Sequence, residues 1–136
     1  MDTKRGARHM VRAFSPILGS NGGGAIVNML SVTSWFSYPG AEAYSAAKAA
    51  AWSLTNGIRL ELAKQKTLVV GVQLGATDTD MMRGIDMPKN APASVANAAL
   101  DAVEVGDWEV VADDMTRQVK DALSSEPKQL YADLMK

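Results

Sequence analysis

Cysteine is absent from this 136-residue chain, and histidine occurs only once, as His9. Without cysteine there is no disulfide framework and no thiolate metal site, and one histidine cannot supply a multi-histidine metal centre. We therefore predict no metal site. The sequence also has no apolar run long enough to span a bilayer, and no apolar signal-peptide core follows Met1. These absences predict a cytoplasmic protein with no membrane partner.

An excess of basic charge is also missing. Lys and Arg total 14 against 15 for Asp and Glu, so the formal net charge is -1. A dedicated nucleic-acid binder usually carries a basic excess, so no nucleic-acid partner is predicted. Apolar residues make up 47% and charged residues 21%, which is ordinary for a globular chain of about one domain.

Short apolar runs alternate along the chain with stretches of helix-forming residues. Runs with the length and flanks of buried strands occupy residues 25–30, 67–74 and 108–111. Helices are predicted to end near Leu18, to span 41–64, to cover the stripe from Val95 to Val103 before Gly106, and to span 114–123 and 127–135. Strands that alternate with helices imply a parallel sheet, so the predicted class is α/β, a partial Rossmann-like doubly wound fold. Three strands are few for such a sheet, which indicates part of a larger domain.

Two further patterns have simple structural interpretations. Apolar residues of the first helix recur at three- and four-residue spacing and should share one face: Met10, Val11, Phe14, Ile17 and Leu18. Gly22, Gly23 and Gly24 suggest a phosphate-binding loop, but such a loop follows a strand and opens a helix. Because these glycines precede a strand, we predict a turn.

Tyr44 and Lys48 lie four residues apart at the start of the predicted long helix, so their side chains share one face. A phenol exchanges its proton poorly at neutral pH, and a neighbouring ammonium stabilises the phenolate. The pair can therefore act as a general acid and base. Ser31 lies 13 residues before Tyr44, at the end of a strand, where its hydroxyl can hold a substrate oxygen.

The spacing Tyr-x-x-x-Lys alone describes many helices with an exposed lysine and a half-buried tyrosine. Its surroundings are more specific, because residues 25–48 as a whole resemble the active-site segment of the short-chain dehydrogenase/reductase family. The resemblance implies that Ser31, Tyr44 and Lys48 are the catalytic residues. It also implies that Tyr44 and Lys48 contact a nicotinamide cofactor, either NAD or NADP.

A second segment, residues 71–81, is similar to the family's next strand and its Pro-Gly-x-x-x-Thr turn. On that basis Gly75 and Thr79 are cofactor-binding residues, and residues 80–92 form a lid over the substrate. Leu74 stands where the family has proline. Met81, Met82 and Met87 either line an adaptable apolar pocket in this lid or pack the loop against the protein.

Other family features are missing from the sequence. The glycine-rich dinucleotide loop and the Asn-Asn-Ala-Gly segment are absent, and Lys4 occupies the position of an asparagine often found in the preceding helix. Residues 1–136 are therefore expected to be the C-terminal half of a short-chain dehydrogenase/reductase domain, without its dinucleotide-binding half. In such a half domain the strand at 25–30 would expose an unpaired edge.

The resemblance implies an NAD- or NADP-dependent oxidoreductase that transfers a hydride between the cofactor and a small carbonyl or alcohol substrate. The alternative is a truncated, non-catalytic chain that folds and oligomerises without binding cofactor. An epimerase or dehydratase of the wider superfamily is a third hypothesis, which the spacing to Ser31 and the turn at Thr79 disfavour. Family members commonly form dimers or tetramers, so a homo-oligomer through the N-terminal helix and helix 44–64 is expected.

Overall fold

The computed structural model describes residues 3–132 of the chain. Within that range the strands are β1 (Gly24–Met29), β2 (Thr67–Gln73) and β3 (Glu109–Val111). The α-helices are α1 (Thr3–Ser20), α2 (Glu42–Leu62), α3 (Pro92–Val105), α4 (Asp114–Asp121) and α5 (Pro127–Leu130). Short 3-10 turns occupy Val32–Ser34, Ala63–Gln65, Asp80–Met82 and Ala122–Ser124. The predicted elements are confirmed with ends shifted by a few residues, and the predicted continuation of the last helix over 133–135 lies outside the described residues.

The three strands form one parallel sheet in the order β1-β2-β3. β1 pairs with β2 from Gly24↔Thr67 to Met29↔Val72, and β2 pairs with β3 from Gly71↔Glu109 to Gln73↔Val111. Because parallel neighbours need a crossover, α2 connects β1 to β2, and α3 connects β2 to β3. The predicted α/β class with a parallel sheet is confirmed.

Helices pack on both faces of the sheet. Successive side chains of a strand point to opposite faces, and the fully buried valines of β2 follow this rule. Val69 packs with Val11 of α1 and with Ile58 and Leu62 of α2. On the other face, Val70 and Val72 pack against the buried residues of α3, which are Val95, Ala99 and Ala102. The central strand β2 is therefore covered on both faces, as in a Rossmann-like domain.

The apolar stripe of α1 is only partly covered. Val11 is buried, but Met10, Phe14 and Ile17 are each about half exposed. Together with the outer side of β1, this helix lines an open apolar groove of about 450 Å³. Among residues 3–132, β1 pairs with β2 alone.

The glycine cluster before β1 forms the predicted turn. Gly22 and Gly23 adopt positive φ angles of 87° and 121°. At Gly23, a Cβ would lie 2.3 Å from the carbonyl oxygen of Lys66, just before β2, so only glycine fits there.

Within the described part of the chain, no helix is both long and apolar enough to cross a membrane.

Candidate active site

Ser31 lies directly after β1 and begins the 3-10 turn Val32–Ser34. Its Oγ accepts a hydrogen bond from the Thr33 backbone N–H at 3.2 Å and another from the Thr33 hydroxyl at 2.8 Å. Ser31 is buried, at 8% exposed, and these two bonds hold its hydroxyl in a fixed place. Since both of these bonds are accepted, the proton of the Ser31 hydroxyl is the group left to donate.

Tyr44 and Lys48 share one face of the first two turns of α2, as predicted. The Lys48 Nζ lies 5.7 Å from the centroid of the Tyr44 ring and donates a hydrogen bond to the carbonyl oxygen of Met29 at 3.0 Å. Tyr44 is 42% exposed, so its phenol is accessible to a small molecule. Burial lowers the pKa of Lys48, because the ammonium is partly removed from water.

Polar bonds fix the start of α2 against the end of β1. Ser34 Oγ donates to the carbonyl oxygen of Lys48 at 3.2 Å, which joins the turn after Ser31 to the helix. About two turns further along α2, Thr55 Oγ1 accepts a hydrogen bond at 3.0 Å from Asn28 Nδ2 of β1. Ser31, Tyr44 and Lys48 are thereby gathered at the carboxyl end of β1, where open parallel sheets commonly bind ligands.

The segment after β2 approaches the same edge of the sheet. The backbone N–H of Val32 donates to the carbonyl oxygen of Leu74 at 2.9 Å, which links the Ser31 turn to the residue before Gly75. Thr79 is exposed, and its hydroxyl donates to the carbonyl oxygen of Thr77 at 3.3 Å. Across the described residues, no hydrogen bond joins Thr79 to Ser31, Tyr44 or Lys48, so the two parts of the predicted site meet through backbone contacts.

The loop predicted to be a lid is closed at its base. Asn90 donates its backbone N–H to the carbonyl oxygen of Ala76 at 2.8 Å, and its own carbonyl accepts from Asp78 at 2.9 Å. Between these points Met81 is 77% exposed and Met87 is 40% exposed. Met81 is therefore not packed down against the protein, whereas Met87 borders a pocket of about 230 Å³ beside Gly75.

Two residues of the site were not singled out from the sequence. Thr33 orients the Ser31 hydroxyl, and the spacing Ser-x-Thr at the start of a turn is a recognisable signal for such a bond. Asp113 accepts a hydrogen bond from the Gly75 backbone N–H at 2.7 Å. Its only sequence signal is that of an aspartate before a helix, which predicts a cap and not a contact with a residue 38 positions away.

The donors present fit the nicotinamide end of a dinucleotide. Lys48 offers an ammonium, Ser31 a hydroxyl proton and Thr79 an exposed hydroxyl, all along one edge of the sheet. Gly22 and Gly23 precede β1 and therefore lie at the opposite end of that strand. Among the residues that the structure describes, no group of three or more His, Cys, Asp or Glu side chains could hold a metal ion. The Lys4 side chain lies outside the described part of the chain.

Comparison with known proteins gives the family. Residues 4–90 match the family model of short chain dehydrogenases. A short chain dehydrogenase from Monascus purpureus is 33% identical over 94 residues, which cover 69% of this chain and 32% of that protein. The chain belongs to the short chain dehydrogenase family, and several of its relatives are named oxidoreductases. The resemblance stated from the sequence is therefore confirmed.

Solved structures agree with this assignment. A short chain dehydrogenase from Burkholderia cenocepacia J2315, in complex with NADP, matches with a TM-score of 0.89 and 39% identity, covering 98% of this chain and 56% of that one. A short-chain dehydrogenase from Sphingobium yanoikuyae, in complex with NADPH, matches with a TM-score of 0.70 and 29% identity, covering 90% and 50%. This chain thus spans about half the length of the solved relatives and about a third of the Monascus protein.

Proposed function

We propose that this chain carries the proton-transfer half of an NAD- or NADP-dependent oxidoreductase site, which converts a small carbonyl compound to an alcohol or the reverse. Ser31, Tyr44 and Lys48 are the proposed catalytic residues. The observation that supports this most directly is the placement of the Lys48 ammonium 5.7 Å from the Tyr44 ring at the carboxyl end of β1. That arrangement pairs an accessible phenol with a cation able to stabilise its phenolate.

In the reducing direction, Tyr44 donates its phenolic proton to the carbonyl oxygen of the substrate. Lys48 stabilises the phenolate that remains, and Ser31 donates a hydrogen bond to the same oxygen. A bound nicotinamide cofactor supplies the hydride that completes the C–H bond. In the oxidising direction Tyr44 accepts the alcohol proton. The two hydrogen-bonded contacts of Ser31 with Thr33 prepare its hydroxyl for this role before substrate arrives.

Tyr44 and Lys48 are also proposed to contact the nicotinamide ribose, and Gly75 and Thr79 the nicotinamide itself. The Burkholderia and Sphingobium relatives hold NADP and NADPH, the oxidised and reduced forms of one cofactor, which supports a nicotinamide cofactor for this chain. Both NAD and NADP are retained in the proposal. The substrate is proposed to enter beside the loop over residues 80–89. The exposed thioethers of Met81 and Met87 would give that side of the site an adaptable apolar lining.

We further propose that the protein is a homo-oligomer. The exposed apolar side chains of α1, and Leu60 on α2, which is 67% exposed, offer apolar surface to a second copy of the chain. The test is the mass of the purified chain by sedimentation equilibrium. A species larger than one chain is expected, and a mass of 14.5 kDa at every concentration would refute the proposal.

The catalytic proposal is tested first by a fluorescence titration of the 136-residue chain with NADH and with NADPH. Saturable binding of at least one of the two cofactors is expected. No binding at millimolar cofactor would refute the proposal for this chain and would favour the alternative of a folded, non-catalytic chain.

Turnover is then followed at the absorbance of the reduced nicotinamide, with a panel of aldehydes, ketones and secondary alcohols. Tyr44→Phe should abolish turnover and leave the folded structure unchanged, because only the phenolic hydroxyl is removed. Tyr38→Phe is the matched control, since Tyr38 is a similarly exposed phenol six residues earlier. Turnover retained in Tyr44→Phe would refute the role of this tyrosine.

A further inference from the structure

The carboxylate of Asp113 joins three separate parts of the chain. Asp113 lies between β3 and α4 and caps that helix. Its Oδ1 accepts from the backbone N–H and the hydroxyl of Thr116 at 2.8 and 2.7 Å. Its Oδ2 accepts from the Gly75 backbone N–H and from Asn90 Nδ2, both at 2.7 Å. Oδ1 thus accepts bonds from α4, and Oδ2 accepts bonds from the turn after β2 and from the base of the loop over 80–89.

These bonds do more than cap a helix. A cap needs only the two bonds to Thr116, which is fully buried. The other oxygen connects the first residue of the turn at 75–79 with the residue that closes the loop over 80–89. Asn90 is itself fixed by backbone bonds to Ala76 and Asp78, so the turn is held from both ends.

The fit around the carboxylate is tight. A Cβ built on Gly75 would lie 3.3 Å from both carboxylate oxygens of Asp113, closer than most such contacts. Burial raises the pKa of Asp113, but the bonds from Gly75, Asn90 and Thr116 together lower it below the ordinary value. The group is therefore ionised at neutral pH, and an ionised carboxylate only accepts hydrogen bonds, which matches the four donors around it.

We propose that Asp113 is a positioning residue for the turn at residues 75–79, and that it sets how firmly this turn holds the nicotinamide. The inference rests on the proposed function, since Gly75 and Thr79 are the proposed contacts of the cofactor. Asp113 itself acts through Gly75 and Asn90. A change at Asp113 should therefore alter cofactor binding without altering proton transfer by Tyr44.

The test compares Asp113→Asn with Thr116→Val. In Asp113→Asn one oxygen can still cap α4, but an amide NH₂ then faces the donors of Gly75 and Asn90. Thr116→Val removes a bond to the same carboxylate from the helix side and leaves the turn untouched. Both variants should lose stability, so loss of stability alone does not distinguish them. The informative readouts are amide hydrogen exchange of residues 75–79 relative to Val69 and Val72, and the Kd for NADH and NADPH.

We expect Asp113→Asn to speed exchange at 75–79 and to raise the cofactor Kd by about tenfold or more, the scale of one lost charge-assisted hydrogen bond. Thr116→Val also removes a charge-assisted bond, but that bond is to Oδ1, which does not contact the turn, so the Kd should change less than about twofold. If Asp113→Asn does not fold, Asn90→Ala removes one tether alone and should shift both readouts in the same direction. Equal effects of the Asp113 and Thr116 variants on exchange and Kd would overturn the proposal.

The two proposals fail in different ways. If the unaltered chain binds neither NADH nor NADPH, the proposed function fails, and the exchange at residues 75–79 alone decides whether Asp113 positions the turn. If the unaltered chain binds cofactor and Asp113→Asn leaves exchange and Kd unchanged, the proposed function stands and the role of Asp113 is refuted.

Discussion

The same substitution, glycine to alanine, should have opposite effects at two positions of this chain. Gly57 lies on the exposed side of α2, where an added Cβ meets nothing within 4 Å. Gly57→Ala should raise the free energy of unfolding by about 0.5–1 kcal/mol, because alanine loses less conformational freedom in a helix than glycine does. At Gly75 the added Cβ would press on both oxygens of Asp113 at 3.3 Å.

The size of the change in the free energy of unfolding for Gly75→Ala depends on how firmly the Asp113 carboxylate is held. Four hydrogen bonds of 2.7–2.8 Å surround the Asp113 carboxylate, so it cannot move away from Gly75 by a few tenths of an ångström without stretching some of them. Overpacking of this kind costs about 1–3 kcal/mol. Replacing glycine with alanine also stabilises the protein by about 0.4–1 kcal/mol, because alanine restricts the unfolded chain. Gly75→Ala should therefore lower the free energy of unfolding by about 0.5–2 kcal/mol.

Urea unfolding, followed by the fluorescence of the three tryptophans, measures both variants with Gly57→Ala as the matched control. A double-mutant cycle identifies the cause. Once Asp113→Ala has removed the carboxylate, Gly75→Ala should cost little or should stabilise, a coupling of about 1 kcal/mol or more. The reasoning fails if Gly75→Ala is as stabilising as Gly57→Ala, or if its cost is the same with and without the Asp113 carboxylate.

Three further predictions concern single contacts. Gly23→Ala should lower the free energy of unfolding by about 3 kcal/mol, measured by urea unfolding, because its φ is 121° and a Cβ would lie 2.3 Å from the Lys66 carbonyl oxygen. Thr33→Val should lower the free energy of unfolding by about 1 kcal/mol, because Ser31 Oγ loses the hydrogen bond from the Thr33 hydroxyl. Since that bond orients Ser31, the variant should also lower kcat, with little change in the cofactor Kd. Lastly, burial raises the pKa of Asp113, but the hydrogen bonds to its carboxylate outweigh burial and bring the pKa below its ordinary value. Its stabilisation is therefore complete above the ordinary pKa of about 3.9 and is lost as pH falls through the lowered value, so the stability difference between the unaltered chain and Asp113→Asn should shrink on acidification from pH ~6 to ~3.

Local patterns were enough to predict the scaffold of the site. The buried apolar run of β2, bounded by a turn before and glycine after, has the length and flanks of a strand. The Ala- and Leu-rich stretch of α2 has high helix propensity, so Tyr44 and Lys48 were expected on one face from their spacing alone. These inferences succeed because each depends on residues within about one helical turn or one strand of each other.

Contacts between distant segments could not be predicted in this way. Nothing in the sequence around Gly75 indicates a bond to Asp113, since which strand end faces which is decided by the packing of the sheet. The apolar stripe of α1 shows the same limit. Its spacing correctly predicts one apolar face, yet Met10, Phe14 and Ile17 remain exposed, because periodicity does not specify what covers a face.

The backbone explains why these distant residues act on one site. Beyond the strand ends, the parallel hydrogen-bond ladder continues, with Val32 N–H donating to the carbonyl oxygen of Leu74 at 2.9 Å and Ala112 N–H to that of Gln73 at 2.9 Å. The bond from Gly75 to Asp113 extends the same row by one step. Ser31, Gly75 and Asp113 therefore follow the ends of β1, β2 and β3 along a single edge. A disturbance at Asp113 should reach Gly75 first and the Ser31 turn only through Leu74, so the cofactor contact should be more sensitive to it than the proton-transfer group.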